Sequence, residues 1–130
     1  MKASLMLGFL LAFLPGVAMA NRVDVGEGEA GKDLVLRRGD LLMVTLPANP
    51  STGYSWGVLS NPPGLLKQMG TSLFETSPHH SAMVGVGGVQ RWNFRAVAVG
   101  KVNLRFSYTR PWEHGVEPAR LISWPVIIRK

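Results

Sequence analysis

The sequence predicts an all-β fold, an antiparallel β-sandwich of about seven or eight short strands, and three observations carry that reading. Glycine and proline interrupt the chain so often that the longest free run after residue 20 is Val89 to Val99, eleven residues rich in Val, Trp and Phe instead of helix formers. Apolar and polar side chains alternate along several segments, which is the period of a strand that buries one face. Turn residues such as Arg38-Gly39-Asp40 and Asn61-Pro62-Pro63-Gly64 separate those segments. An all-helical protein is excluded, and a dinucleotide-binding α/β domain is disfavoured on the same grounds.

Residues 1–20 read as a removable leader. Lys2 supplies a charged start, Leu5 to Leu14 an apolar core, Pro15-Gly16 a break, and Ala18-Met19-Ala20 a small-x-small cleavage site. Cleavage after Ala20 and export to the periplasm or beyond the cell are expected, leaving one domain of about 110 residues, Asn21 to Lys130. Ser4, Pro15 and Gly16 disfavour retention of this stretch as a membrane anchor. The chain has no cysteine, so disulfides, thiolate metal sites and thiol nucleophiles are absent together. Its formal charge of +6, reduced by one when Lys2 leaves, is scattered without any basic run beyond pairs. That distribution argues against nucleic acid and for an acidic partner or surface.

Taken in order, strands are expected around Leu34 to Leu36, at Leu41 to Leu46, and at Ser55 to Leu59 with Trp56 and Val58 inward. Leu65 to Met69 reads as one helical turn, and Leu73 to Thr76 as another strand. Trp92, Phe94, Ala96 and Ala98 then share one face, as do Val102, Leu104, Phe106 and Tyr108, and the two runs read as a hairpin turning at Val99-Gly100-Lys101. Leu121 to Ile128 closes the set, with Pro125 demoting it to an edge or a bulge. Trp56, early in a central strand, fits an immunoglobulin-like sandwich built without the customary disulfide.

Three segments carry more constraint than connections need. In Asn49-Pro50-Ser51-Thr52-Gly53-Tyr54, Pro50 fixes φ and biases Asn49 towards extended backbone, while Gly53 permits a positive φ. Gly85-Val86-Gly87-Gly88 follows a polar loop and marks either flexibility or close backbone approach. It lacks the Lys-Ser/Thr and helix of a phosphate cradle. In Arg110-Pro111-Trp112-Glu113, a Trp beside Arg at a strand end has the composition of a binding hot spot, the bland alternative being a ring folded back on the sandwich end. Each pair of antiparallel strands returns the chain to the end it left, so the three loops are expected on one surface.

An enzyme is not supported. Ser51 has no Gly-x-Ser-x-Gly context, and His79, His80 and His114 in polar loops read as solvated, neither triad members nor metal ligands. A carbohydrate-binding or adhesive sandwich module, with Tyr54 and Trp112 as stacking platforms, is the alternative of a different class.

With Asn-Pro-Ser-Thr-Gly-Tyr-Ser-Trp at 49–56, Gly-Val-Gly-Gly at 85–88 and Tyr-Thr-Arg-Pro-Trp-Glu at 108–113, the chain resembles the chagasin family of protein inhibitors of papain-like cysteine proteases. The resemblance covers essentially all of residues 21–130. It implies an immunoglobulin-like fold without cofactor, acting as a reversible, tight-binding inhibitor. The first loop would enter the catalytic centre of a cathepsin-like protease and the other two would grip the cleft walls. Ser51 stands where the family usually has Thr, which keeps the hydroxyl and loses a methyl. On that basis Ser51 and Thr52 would cover the catalytic thiol, Gly85 to Gly88 would lie along the cleft, and Trp112 would stack on its wall with Arg110 and Glu113 at the rim. The inhibitor needs no partner copy and is expected to be a monomer.

Overall fold

The computed structural model describes residues 20–60, 64–76 and 87–130. Nine strands are found among them: β1 (Arg22–Gly26), β2 (Leu34–Arg37), β3 (Leu41–Ala48), β4 (Ser55–Ser60), β5 (Leu66–Gln68), β6 (Leu73–Thr76), β7 (Gly88–Ala96), β8 (Gly100–Thr109) and β9 (Arg120–Arg129). They form two sheets, one ordered β1-β3-β7-β5 with β6 also on β7, the other β2-β9-β8-β4. Two outer pairs, β1 with β3 and β2 with β9, are parallel, so the sheets are mixed and not wholly antiparallel.

Apart from β6, whose four residues are all exposed, the strands turn apolar side chains inward, and the two buried faces meet. Leu42, Val44, Leu46 and Phe94 of the first sheet and Leu104, Phe106, Trp124, Val126 and Ile128 of the second are at most 1% exposed. Each such side chain contributes about 1.5–3 kcal/mol by leaving water. Phe106 sits at the centre, edge-on to Trp92 at 4.8 Å, Phe94 at 6.3 Å and Trp124 at 5.8 Å between ring centroids. Trp56 is buried as expected, and its indole N–H donates to the Pro47 carbonyl at 2.9 Å.

Three expectations are corrected. The hairpin is not one: β7 pairs with β3 and β8 with β9 and β4, and Val97 to Val99 carries the chain across the sandwich from one sheet to the other. Alternation reports which face is buried and is silent about the partner, and Trp92 and Phe106 face each other across the core instead of lying side by side. Leu65 to Met69 is no helical turn. Leu66 is fully buried, β5 pairs with Phe94 to Ala96, and hydrogen bonds at Leu65 and Met69 continue the ladder, so packing overrides a weak local preference.

Pro125 does not demote β9, which lies between β2 and β8. The Ser123 carbonyl accepts from Gly31 N–H on the β2 side, and residues two apart share backbone orientation. The Pro125 nitrogen therefore faces the β2 side, where pairing starts only at Val126. The missing donor has no ladder partner to disappoint.

Registers place the loops. Ala48 opposes Gly88, Thr76 opposes Gly88, and Ser55 opposes Thr109, so the ends of β3, β6 and β8 and the starts of β4 and β7 share one pole. Three strands, not two, separate the first loop from the second, yet β5 and β6 lie end to end along β7 and act as one interrupted strand. The parity argument survives for that reason. The Arg37 to Asp40 turn lies at the opposite pole.

Candidate functional site

The first loop is a 3₁₀ turn, Pro50–Thr52, fastened by its own side chains. Asn49 is extended (φ −136°, ψ 90°), and its Oδ1 accepts from Ser51 N–H at 3.2 Å and from Ser51 Oγ at 2.6 Å. Thr52 Oγ1 donates to the Asn49 carbonyl at 2.7 Å and accepts from Tyr54 N–H at 3.3 Å. Gly53 closes the turn in the left-handed region at φ 84°, its N–H donating to the Pro50 carbonyl. A proline that pre-sets φ, an N-cap amide and a glycine C-cap make this shape the default of the sequence. Ser51 and Thr52 stand exposed at its tip.

The third loop is laced to the first. Arg110 Nε donates to the Thr52 carbonyl at 3.1 Å, its guanidinium lies 4.3 Å from the Tyr54 ring centre and 5.9 Å from that of Trp112, and Glu113 stands 3.8 Å from it. Tyr54 stacks on Tyr108 at 5.2 Å and 20°, and Tyr108 on Trp56 at 4.7 Å. Tyr108 Oη also accepts from Asn49 N–H at 3.2 Å. A ladder of rings thus runs from the core through Trp56, Tyr108 and Tyr54 to Arg110 and Trp112. Aromatic pairs of this kind contribute about 0.5–1.5 kcal/mol beyond area, and a guanidinium over a ring about 0.5–1.

Trp112 is 61% exposed, yet one end of its indole covers Gly53 so closely that a Cβ there would overlap Cη2. Part of the ring thus folds back on the first loop while the rest faces solvent.

At Gly87 and Gly88 the close backbone approach that the sequence allows is made to the protein's own strands. A Cβ at Gly88 would collide with the Glu75 carbonyl of β6, and one at Gly87 would come 2.7 Å from the Ala48 carbonyl of β3. These two glycines admit the protein's own backbone, and Gly87 lies against Asn49. Gly85, Val86, His79 and His80 lie outside the described residues.

The structure therefore gathers Asn49, Pro50, Ser51, Thr52, Gly53, Tyr54, Gly87, Gly88, Arg110, Pro111, Trp112 and Glu113 at one pole. One contributor was missed, and another plays a larger part than expected. Tyr108, which opens the 108–113 motif, is assigned from sequence only an inward strand role, although its place two before Arg110 puts it at the loop end. Arg110 reads as a rim residue but is the buckle between loops. A recess of about 700 Å³ beside the glycine segment is lined in part by Arg91 and Arg120. Both guanidinium groups are already paired, with Glu75 and Glu27, so it is poorly suited to an anion. Among the described residues no group of His, Asp or Glu is arranged to hold a metal ion.

Residues 35–124 match the family described as chagasin family peptidase inhibitor I42. The chain belongs to the chagasin family. It is 33% identical over 103 residues to Amoebiasin-2 of Entamoeba histolytica, covering 79% of this chain and 82% of that one. It is 28% identical over 92 residues to Chagasin of Trypanosoma cruzi, covering 68% and 81%. Among solved structures it is similar to the cysteine protease inhibitor EhICP2 of Entamoeba histolytica, with 30% identity, a TM-score of 0.77, and 86% and 99% of the two chains covered. PbICP-C, solved in complex with falcipain-2, shares the fold at 19% identity and a TM-score of 0.51, with 85% and 92% covered. Membership makes this chagasin-family chain a peptidase inhibitor and not an enzyme. The carbohydrate-binding alternative gains nothing from these relatives, and Tyr54, engaged by Tyr108 and Arg110, has little ring left to offer a sugar.

Proposed function

We propose that this chain inhibits papain-like cysteine proteases of the cathepsin type by seating its three-loop pole in their catalytic cleft. One observation carries the reading: Arg110 ties the exposed tip at Ser51 and Thr52 to the exposed indole of Trp112, making one rigid edge. The tip is narrow, its side chains are small, and its hydrogen bonds hold the Pro50–Thr52 turn in a 3₁₀ shape unlike the extended backbone a protease cleaves. Such a tip fits over a Cys-His pair without presenting a peptide bond for attack. Trp112 then packs on the cleft wall, and Gly85 to Gly88 line the other side. A fit of this kind buries about 800 Å² per partner. The mutual fastening of the first and third loops limits the entropy they lose on docking, which favours tight, reversible binding.

The leader pattern supports export, cleavage after Ala20 and action in the periplasm or outside the cell, by a monomer. The deciding experiment titrates active-site-counted papain with Asn21–Lys130 and then weighs the inhibitor after long incubation. Stoichiometric, reversible loss of activity with the chain intact is expected, and Trp112→Ala is expected to weaken inhibition about thirtyfold, the equivalent of about 2 kcal/mol. No inhibition at micromolar concentration, or cleavage near Ser51, would refute the proposal.

A further inference from the structure

At the pole away from the loops, a buried carboxylate awaits a charge. Asp40 is 6% exposed. Its Oδ2 accepts from Arg37 N–H at 2.8 Å and its Oδ1 from the backbone nitrogen of Asn21 at 3.1 Å. Its own backbone is pinned as well, N–H to the Arg37 carbonyl at 2.9 Å and carbonyl to Ala96 N–H at 2.9 Å, which fixes where the side chain starts. Among the described residues no Arg or Lys side chain forms an ion pair with it. A desolvated carboxylate held by two neutral donors is an expensive arrangement, and a cation at either donor would relieve it.

Asn21 is the residue that follows the expected cleavage site. We propose that removal of the leader supplies this cation: the new α-ammonium group of Asn21 forms an internal ion pair with Asp40 that fastens β1 to β3 only in the processed chain. The inference rests on cleavage after Ala20. Water hydrolyses the Ala20–Asn21 peptide bond, a carboxylate leaves with Ala20, and the amine left on Asn21 is protonated near neutral pH. Before that step the same atom is an amide that donates one uncharged hydrogen bond. Afterwards it carries a full positive charge at the same place, while the Asn21 carbonyl goes on accepting from Leu41 N–H at 2.9 Å. Charge-assisted bonds are about twice as strong as neutral ones, and most so where water is excluded. The opening strand is thereby held more weakly in the precursor than in the product.

The test compares chains beginning at Asn21 with chains beginning at Ala20, each made by releasing a fusion partner. The single added residue moves the amine about 3.5 Å away and restores the amide at Asn21. The Asn21 chain is expected to melt about 5 °C higher, and Asp40→Asn, which keeps the shape and an acceptor for Arg37, is expected to erase the difference. Equal melting temperatures in the wild-type pair would overturn the proposal without recourse to any variant, as would a difference that survives Asp40→Asn. The mass of the protein recovered from the periplasm or medium answers separately whether the mature chain starts at Asn21. A different start would remove the biological premise whatever the melting data show.

Discussion

Gly53→Ala is the sharpest probe of the loop pole, because one methyl group meets two obstacles there. At φ 84° any side chain strains the backbone, costing about 1–2 kcal/mol. The methyl also overlaps Cη2 of Trp112, so the indole must leave its place over the first loop. Gly70→Ala provides the calibration. Gly70 has nearly the same φ, 77°, and nothing within 4 Å of where its Cβ would stand. Both variants are expected to lose roughly 4–8 °C in melting temperature for each kcal/mol of strain. Gly70→Ala is expected to inhibit papain like the parent. Gly53→Ala is expected to lose in addition what displacement of Trp112 costs, up to about thirtyfold in inhibition constant. The assay is a tight-binding titration of active-site-counted papain, paired with thermal unfolding of the free inhibitor. If Gly53→Ala melts lower than the parent but binds equally well, the packing of Trp112 on the first loop has no part in recognition.

Arg110→Met, which keeps length and apolar bulk but removes the hydrogen bond to Thr52 and the charge over Tyr54 and Trp112, is expected to weaken inhibition about tenfold in the same titration. Arg110→Lys is expected not to rescue it, since an ammonium lacks the planar face. Ser51→Ala removes the 2.6 Å bond to Asn49 and loosens the tip at a cost of about 1 kcal/mol, roughly fivefold in inhibition constant. Gly88→Val is expected to fail as a fold before it fails as an inhibitor, its melting temperature falling sharply because the side chain would enter the Glu75 backbone. A Gly88→Val protein that melts like the parent would refute the account of that close approach.

Much of the sandwich was legible because burial writes itself into alternation, and β3, β4, β6 and β9 fall within two residues of their expected limits. β1 escaped notice because five residues with one buried valine scarcely alternate, and because its partner β3 is parallel and reached only after β2. β5 is shorter still, and its single fully buried residue, Leu66, sets no period. The hairpin error has the same root: a strand that buries one face looks alike whether its neighbour lies beside it or across the core. At the loop pole, proline, glycine and tryptophan announced themselves by composition. Arg110 did so too, but its role as the tie between loops did not show, because its partner at Thr52 is 58 residues away and nothing local marks the pairing. At Gly88 the sequence pointed to a close backbone approach but could not name its partner, which is the Glu75 backbone of β6.

The placement of the four tryptophans also has an optical consequence. Trp56, Trp92 and Trp124 are at most 4% exposed, whereas Trp112 is 61% exposed. Long-wavelength emission and quenching by acrylamide thus report almost entirely on one side chain, at the surface proposed to meet the protease. Docking that covers this indole would shift its emission to the blue and shield it from quencher, so the complex can be followed in real time without any attached dye.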